Sequence, residues 1–140
     1  MVSAMEKFLL DSNIIISLLK HGSHLERILT LGRGAVAISR INHYEIYVGI
    51  ERSPNQNARK RKLQHFEQLL ELVTILELDQ AASLAAAKIN AQLQSLGTPI
   101  GPMDTLIAGI AIANNHIIVT NNTREFARVP ELQTLSWDEQ

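Results

Sequence analysis

The sequence predicts an α/β fold in three layers, with a mostly parallel central sheet of four to five strands flanked by helices. Three observations lead there. Phe8-Leu9-Leu10 is apolar without alternation, which marks a strand buried on both faces and so the centre of a covered parallel sheet. Strand-like and helix-like segments alternate from that run to the end of the chain, the pattern of parallel strands joined by right-handed crossovers. The length, 140 residues, suits a single domain over residues 1–140. A domain of that size buries roughly 68% of its unfolded surface, enough for a core without staples.

The elements follow in order. After the first strand, Ile14 to Lys20 has helical spacing, His21-Gly22-Ser23 breaks it, and Ser23 to Leu31 forms a second helix stopped by Gly32. Ala35 to Ser39 is the second strand. Asn42 to Glu51 is a helix with Ile41, Tyr44 and Val48 on one side, and it carries Glu45 near the sheet edge it has just left. Beyond the Ser53-Pro54-Asn55 turn, Ala58 to Leu72 is helical, with the stripe Leu63, Phe66, Leu69 and Leu70. Val73 to Leu78 is the third strand.

Asp79 has the position of an N-cap for a long helix whose inward face reads Ala82, Ala85, Ala86, Ile89, Leu93 and Leu96, ended by Gly97. Gly101 and Pro102 start the next helix as Ncap and N1, which places Asp104 at N3. That helix, to Asn114, is apolar on most sides, and Gly109 permits a close approach to a neighbour. Ile117 to Thr120 is the fourth strand. A short turn or helix around Arg124 to Ala127 and a small strand near Gln133 to Leu135 complete the domain.

Composition narrows the function classes. There are no cysteines, so thiolate nucleophiles, disulfides and Cys-ligated zinc are excluded, and the chain suits a reducing cytoplasm. The start, Met1 to Lys7, lacks the pattern of a secretory leader, and no apolar run approaches the roughly 20 residues that span a bilayer. No membrane association is expected. A net charge of −1 argues against a globally basic nucleic-acid coat while leaving room for a local basic patch. With aromatics at 4%, bases stacked on an aromatic platform are a poor model.

In such a sheet Asp11 ends the first strand, Glu45 opens the helix after the second, Asp104 sits at the start of a buried helix, and Asn122 follows the fourth strand. All four then face the carboxyl edge, where ligands bind in open α/β sheets. Each has a plainer role to set against this: Asp11 or Asn13 as helix caps, Asp104 as a dipole-complementing residue, Glu45 as a solvated position, Asn122 as a turn former. One shared reason accounts for their convergence more simply than four separate ones. Three carboxylates in a low-dielectric crevice without basic partners stay ionised only if a cation neutralises them. Oxygen ligands alone suit Mg²⁺ or Mn²⁺, which polarises a phosphoryl oxygen and activates water, the requirements of phosphodiester hydrolysis.

The order and spacing of four segments carry a resemblance over nearly the whole chain: Leu10-Asp11-Ser12-Asn13, Ile38-Ser39 before Tyr44-Glu45, Gly101-Pro102-Met103-Asp104, and Val119-Thr120-Asn121-Asn122-Thr123-Arg124-Glu125-Phe126. This set resembles a PIN domain and, more narrowly, the VapC-type ribonuclease toxins of bacterial toxin–antitoxin pairs. The resemblance implies a PIN-like fold, metal-binding acids at Asp11, Glu45 and Asp104, and Ser12, Asn13 and Thr120 in support. The fourth acidic position of many members matches Asn122, which sets a firmly held second metal in question. It implies an RNA substrate, with tRNA as the expectation, a cognate antitoxin protein and a homodimer. Candidate RNA contacts are Arg59 and Lys60 from the run Arg59 to Lys62, with Arg124 and Arg128, although such a run is also an ordinary solvated helix face.

Other families fit less well. A receiver domain wants an acidic pair after its first strand and a lysine after its last, where this chain has Leu9-Leu10 before Asp11 and Asn121-Asn122 after Thr120. A phosphatase with an aspartyl nucleophile wants a second Asp where Asn13 stands. The alternative from another class is a PIN-like module that binds RNA or protein without turnover.

Overall fold

The computed structural model describes residues 6–138. Residues 1–5, on which the leader reading largely falls, lie outside them. The elements are β1 (Phe8–Leu10), α1 (Ser12–His21), α2 (Leu25–Leu31), β2 (Val36–Ser39), α3 (Arg40–Glu51), α4 (Gln56–Leu70), β3 (Thr74–Leu76), α5 (Gln80–Ser95), α6 (Pro102–Asn114), β4 (Ile117–Val119), α7 (Thr123–Phe126) and β5 (Thr134–Leu135). The five strands form one sheet in the order β3-β2-β1-β4-β5, and every pair is parallel. The apolar run at Phe8 to Leu10 is thus the central strand. The chain leaves it towards β2 and β3 on one side and returns to β4 on the other. The point where the strand order reverses lies between β1 and β4, and there the loops at the carboxyl ends diverge to leave a crevice.

Alternation along the strands sorts the core into two halves. Phe8, Leu10, Val36, Ile38 and Val119 face α1 to α4, where they meet Ile14, Ile15, Leu18, Ile28, Ile46, Ile50, Phe66 and Leu69. Leu9, Ala37 and Ile118 face the other way, against Ile89, Leu93, Ile107, Ile110 and Phe126 of α5, α6 and α7. Both faces are covered, which is why the strands read as continuous apolar runs. Among the described residues no helix is long and apolar enough to cross a membrane.

Several details differ from the sequence expectation. Helix α3 starts at Arg40, because Ser39 caps it: the Asn42 backbone N–H donates to Ser39 Oγ at 3.0 Å and Asn42 Oδ1 accepts from the Ser39 N–H at 3.1 Å. That cap turns Asn42, Ile46 and Ile50 inward and leaves Tyr44 55% exposed, so the buried stripe is not the Ile41, Tyr44, Val48 side. Strand β3 stops at Leu76, since its partner β2 ends at Ser39 and offers no further backbone. Leu96 is 65% exposed, because the left-handed Gly97 (φ 73°) turns the chain away after the last contact at Leu93.

Helices α5 and α6 are joined at closest range by Gly109. A Cβ there would lie 2.7 Å from the Ala82 carbonyl oxygen, from Ala86 Cβ and from Ala86 N. Backbone atoms cannot yield as a side chain does, so the helices would have to separate. Gly109→Ala is therefore expected to destabilise the protein by about 1–3 kcal/mol, despite the roughly 1 kcal/mol that alanine gains over glycine in a helix. Urea unfolding checks it, and unchanged or increased stability would disprove the close approach.

Candidate active site

Asp11 follows the last residue of β1 and is 7% exposed. One carboxylate oxygen accepts the Ser12 N–H at 2.9 Å, and the other accepts the Thr120 hydroxyl at 2.8 Å. Thr120 is presented from the end of β4, the neighbouring strand at the reversal of order, and its own oxygen accepts the Asn122 N–H at 2.9 Å. Asp11 is also the N-cap of α1, so the cap role and the site role fall on one side chain. Burial pushes its carboxyl above the usual range, and Glu125 adds to this, while hydrogen bonds from Thr120, Ser12 and Asn42 pull it back. Asn13 lies at the edge, where its side-chain oxygen accepts the Asn121 N–H at 3.4 Å.

Glu45 comes from the second turn of α3 and is tied to the first loop by Ser12, whose hydroxyl donates to Glu45 Oε1 at 2.7 Å. Ser12 Oγ in turn accepts from Asn42 Nδ2 at 3.0 Å. Asn42 is fully buried. Sequence reasoning gave it no part beyond the start of a helix, although a polar residue three positions after a capping serine is the spacing of a reciprocal cap.

Asp104 stands in the first turn of α6, behind Gly101 and Pro102 as expected. Its carboxyl is pushed up to about 6, first by burial and then by the charges of Asp11, Glu125 and Glu45. Those charges tie the three predicted acids to one locality and add a fourth that the sequence reading missed. Glu125 accepts the Gly101 N–H at 3.0 Å with one oxygen and the Asn122 side-chain amide at 2.7 Å with the other. These two bonds, with Arg128 nearby, hold its carboxyl below the ordinary value. Asn122 thus spends its amide on Glu125, and the fourth carboxylate is three residues further on. The Asn-x-x-Glu spacing at a helix start was the available signal. Gly101 separates the two late acids: its Cβ position would be 3.7 Å from Asp104 Oδ2 and 4.0 Å from Glu125 Oε1.

The donor set fits a hard divalent cation. It consists of carboxylate oxygens alone, and Asp104 bears the repulsion of three like charges with no cationic influence among the causes of its shift. Among the described residues, no group of three His, Cys, Asp or Glu side chains already stands in a coordinating arrangement.

Basic residues are placed unevenly. Lys62, with Lys20 and His65, borders a cleft of about 250 Å³ between α1, α3 and α4 that reaches Glu45. Arg59 instead turns to the Glu51 carbonyl at 3.5 Å, and Lys60 is exposed outside the cleft lining. Arg124 is exposed on α7, and Arg128 donates to the Pro99 carbonyl at 3.1 Å.

Comparison with known proteins agrees with this architecture. The family model for the PIN domain matches residues 8–132. The chain is 40% identical to the tRNA(fMet)-specific endonuclease VapC of Shigella flexneri over 135 residues, which covers 95% of this chain and 99% of that protein. It is 35% identical to the protein of the same name from Salmonella typhimurium, over 95% and 99% of the two chains. Among solved structures, the DNA-bound VapBC of Salmonella typhimurium superposes with a TM-score of 0.86 at 35% identity, covering 95% of this chain and 99% of that one. VapBC2 from Rickettsia felis, bound to a promoter DNA fragment, gives 0.82 at 29% identity over 94% and 98%. With a parallel sheet whose strand order reverses beside Asp11 and a family match over nearly its whole length, the chain belongs to the PIN-domain family, as a VapC-type member.

Proposed function

We propose that the protein is a metal-dependent endoribonuclease that cleaves RNA phosphodiester bonds and acts as the toxin of a toxin–antitoxin pair. The observation that carries this reading is the shared locality of Asp11, Glu45, Asp104 and Glu125: Ser12 bonds both Asp11 and Glu45, Gly101 lies beside both Asp104 and Glu125, and Asp104 feels the charges of the other three. These four would hold Mg²⁺ or Mn²⁺, and such an ion supplies Lewis-acid polarisation of the phosphate and a nucleophilic water at neutral pH. The chain's own groups do the orienting. Thr120 and the Ser12 N–H favour the ionised form of Asp11, Ser12 aims Glu45, and Asn122 with the Gly101 N–H fixes Glu125. Lys20 and Lys62 border the cleft that ends at Glu45 and suit contacts to the phosphates of an RNA strand, with Lys60 exposed on α4 and Arg124 and Arg128 on the Glu125 side.

A relative named for tRNA(fMet) makes that tRNA the first substrate to assay. The partner is an antitoxin that lays apolar residues beside the rim and inserts a basic side chain among the acids in place of the metal. Relatives solved as VapBC complexes support it. Homodimerisation is carried over from the family, while residence in the cytoplasm rests on the cysteine-free composition and a single PIN-like domain on the length of the chain and the family match over residues 8–132.

Asp104→Asn should lower RNA cleavage by roughly 100-fold or more, measured with Mg²⁺ or Mn²⁺ against a chelator control. Parental activity in that variant would refute the assignment, and RNA binding without cleavage by the parent would favour the non-catalytic module. In chelator, the same substitution should raise the melting temperature at pH 8 and do so progressively less towards pH 4. An aspartate loses its proton near 3.8 when unconstrained and near about 6 in this fold, so the folded state binds more protons between those values and loses stability as pH rises through them. Equal melting shifts at pH 4 and pH 8 would contradict the raised Asp104 carboxyl. In cells, expression of the chain alone should arrest growth, Asp11→Asn should not, and a partner encoded beside it should restore growth. Unimpaired growth with abundant folded protein would exclude the toxin role.

A further inference from the structure

We infer that Asn42 is a positioning residue that fixes Glu45 through a one-way chain of hydrogen bonds by way of Ser12. The inference rests on the nuclease reading for its kinetic consequence and on geometry for its existence. A backbone N–H can only donate, so the Asn42 side-chain atom 3.1 Å from the Ser39 nitrogen must be the carbonyl oxygen. The Ser39 hydroxyl donates to that same oxygen at 2.6 Å, while its own oxygen is taken by the Asn42 N–H at 3.0 Å. Both contacts leave the Nδ2 end of Asn42 pointing away, and it donates to Ser12 Oγ at 3.0 Å.

Ser12 has only one hydroxyl hydrogen. Its oxygen is already accepting from Asn42, so that hydrogen goes to Glu45 Oε1, at 2.7 Å. The direction of every bond in the series is therefore determined at the Ser39 end, by backbone, and delivered at the Glu45 end, to a carboxylate. Asn42 and Ser39 are fully buried, so water does not compete for these groups. Without Asn42 nothing fixes the rotation of the Ser12 hydroxyl, so the donor to Glu45 is no longer held in one direction. Groups that orient ligating side chains in this way usually matter by about 10- to 100-fold in metal affinity or activity.

The test uses the full chain. In metal-free protein, the ¹³C resonance of the Glu45 side-chain carboxyl should move in Asn42→Ser, whose shorter side chain keeps a polar atom for the Ser39 end but does not reach Ser12. It should move similarly in Ser12→Ala. Asn55→Ala, which removes the N-cap bond of α4 from Ala58 at 2.8 Å, should cost stability without moving it. In the loaded enzyme, Asn42→Ser should lower kcat and weaken Mn²⁺ binding by calorimetry, each by roughly 10-fold, with KM for RNA little changed. The Ser12→Ala/Asn42→Ser double variant should lose clearly less than the product of the two single losses, because Asn42 acts on Glu45 through Ser12, while only its bond to Asp11 is independent of Ser12. An unmoved Glu45 resonance with parental kcat, or fully additive effects in the double variant, overturns the inference. A resonance that moves in both variants, with a parent protein that neither binds Mn²⁺ nor cleaves RNA, upholds the chain of bonds and refutes the nuclease reading instead.

Discussion

The structure turns on how a cluster of carboxylates is kept together at the end of a buried strand. Asp11 is nearly inaccessible and has three other acids in its neighbourhood, yet the hydrogen bonds that hold these acids come from uncharged groups: a threonine and a serine hydroxyl, an asparagine amide and two backbone N–H groups. Neutral donors orient a carboxylate without cancelling its charge. The field at the rim thus stays negative, and any species that settles there must bring positive charge with it, whether an ion or a side chain of another protein.

The burden is shared unequally. Glu125 is eased by two hydrogen bonds, and Asp11 is eased by three against a stronger penalty from burial. Asp104 receives no such relief: burial first, then the charges of Asp11, Glu125 and Glu45, push its carboxyl up to about 6. It is also mounted on the first turn of α6, the helix that packs against α5 at Gly109. Close packing and like-charge repulsion thus meet on one element.

Much of this was legible in the residues. The central strand, the caps at Asp79 and Gly101, the close approach at Gly109 and the rim positions of Asp11, Glu45 and Asp104 all follow from local pattern and the topology of alternating strands and helices. Glu125 and Asn42 did not come out, and for one reason. Each acts through a contact distant in the chain, Glu125 with Gly101 and Asn42 with Ser12, while its local surroundings read as an ordinary helix start. Tyr44 was misplaced for a related cause, because a reciprocal cap set the rotation of α3 more firmly than its apolar spacing did. Lys62, not Arg59 or Lys60, faces the cleft, a matter of helix phase that a run of four basic residues hides.

That Asp11 is both the cap of α1 and the buried acid of the rim divides the substitutions open to that position into two kinds. Asparagine caps a helix as well as aspartate does, so under the proposed nuclease reading it would silence the chemistry and leave a well-folded body able to occupy whatever binds the rim. Alanine forfeits the cap as well, at about 0.5–2 kcal/mol, and yields a chain that quality control removes more readily. Two inactive alleles of one residue would then differ in kind: the first a decoy that ties up its inhibitor, the second an absence.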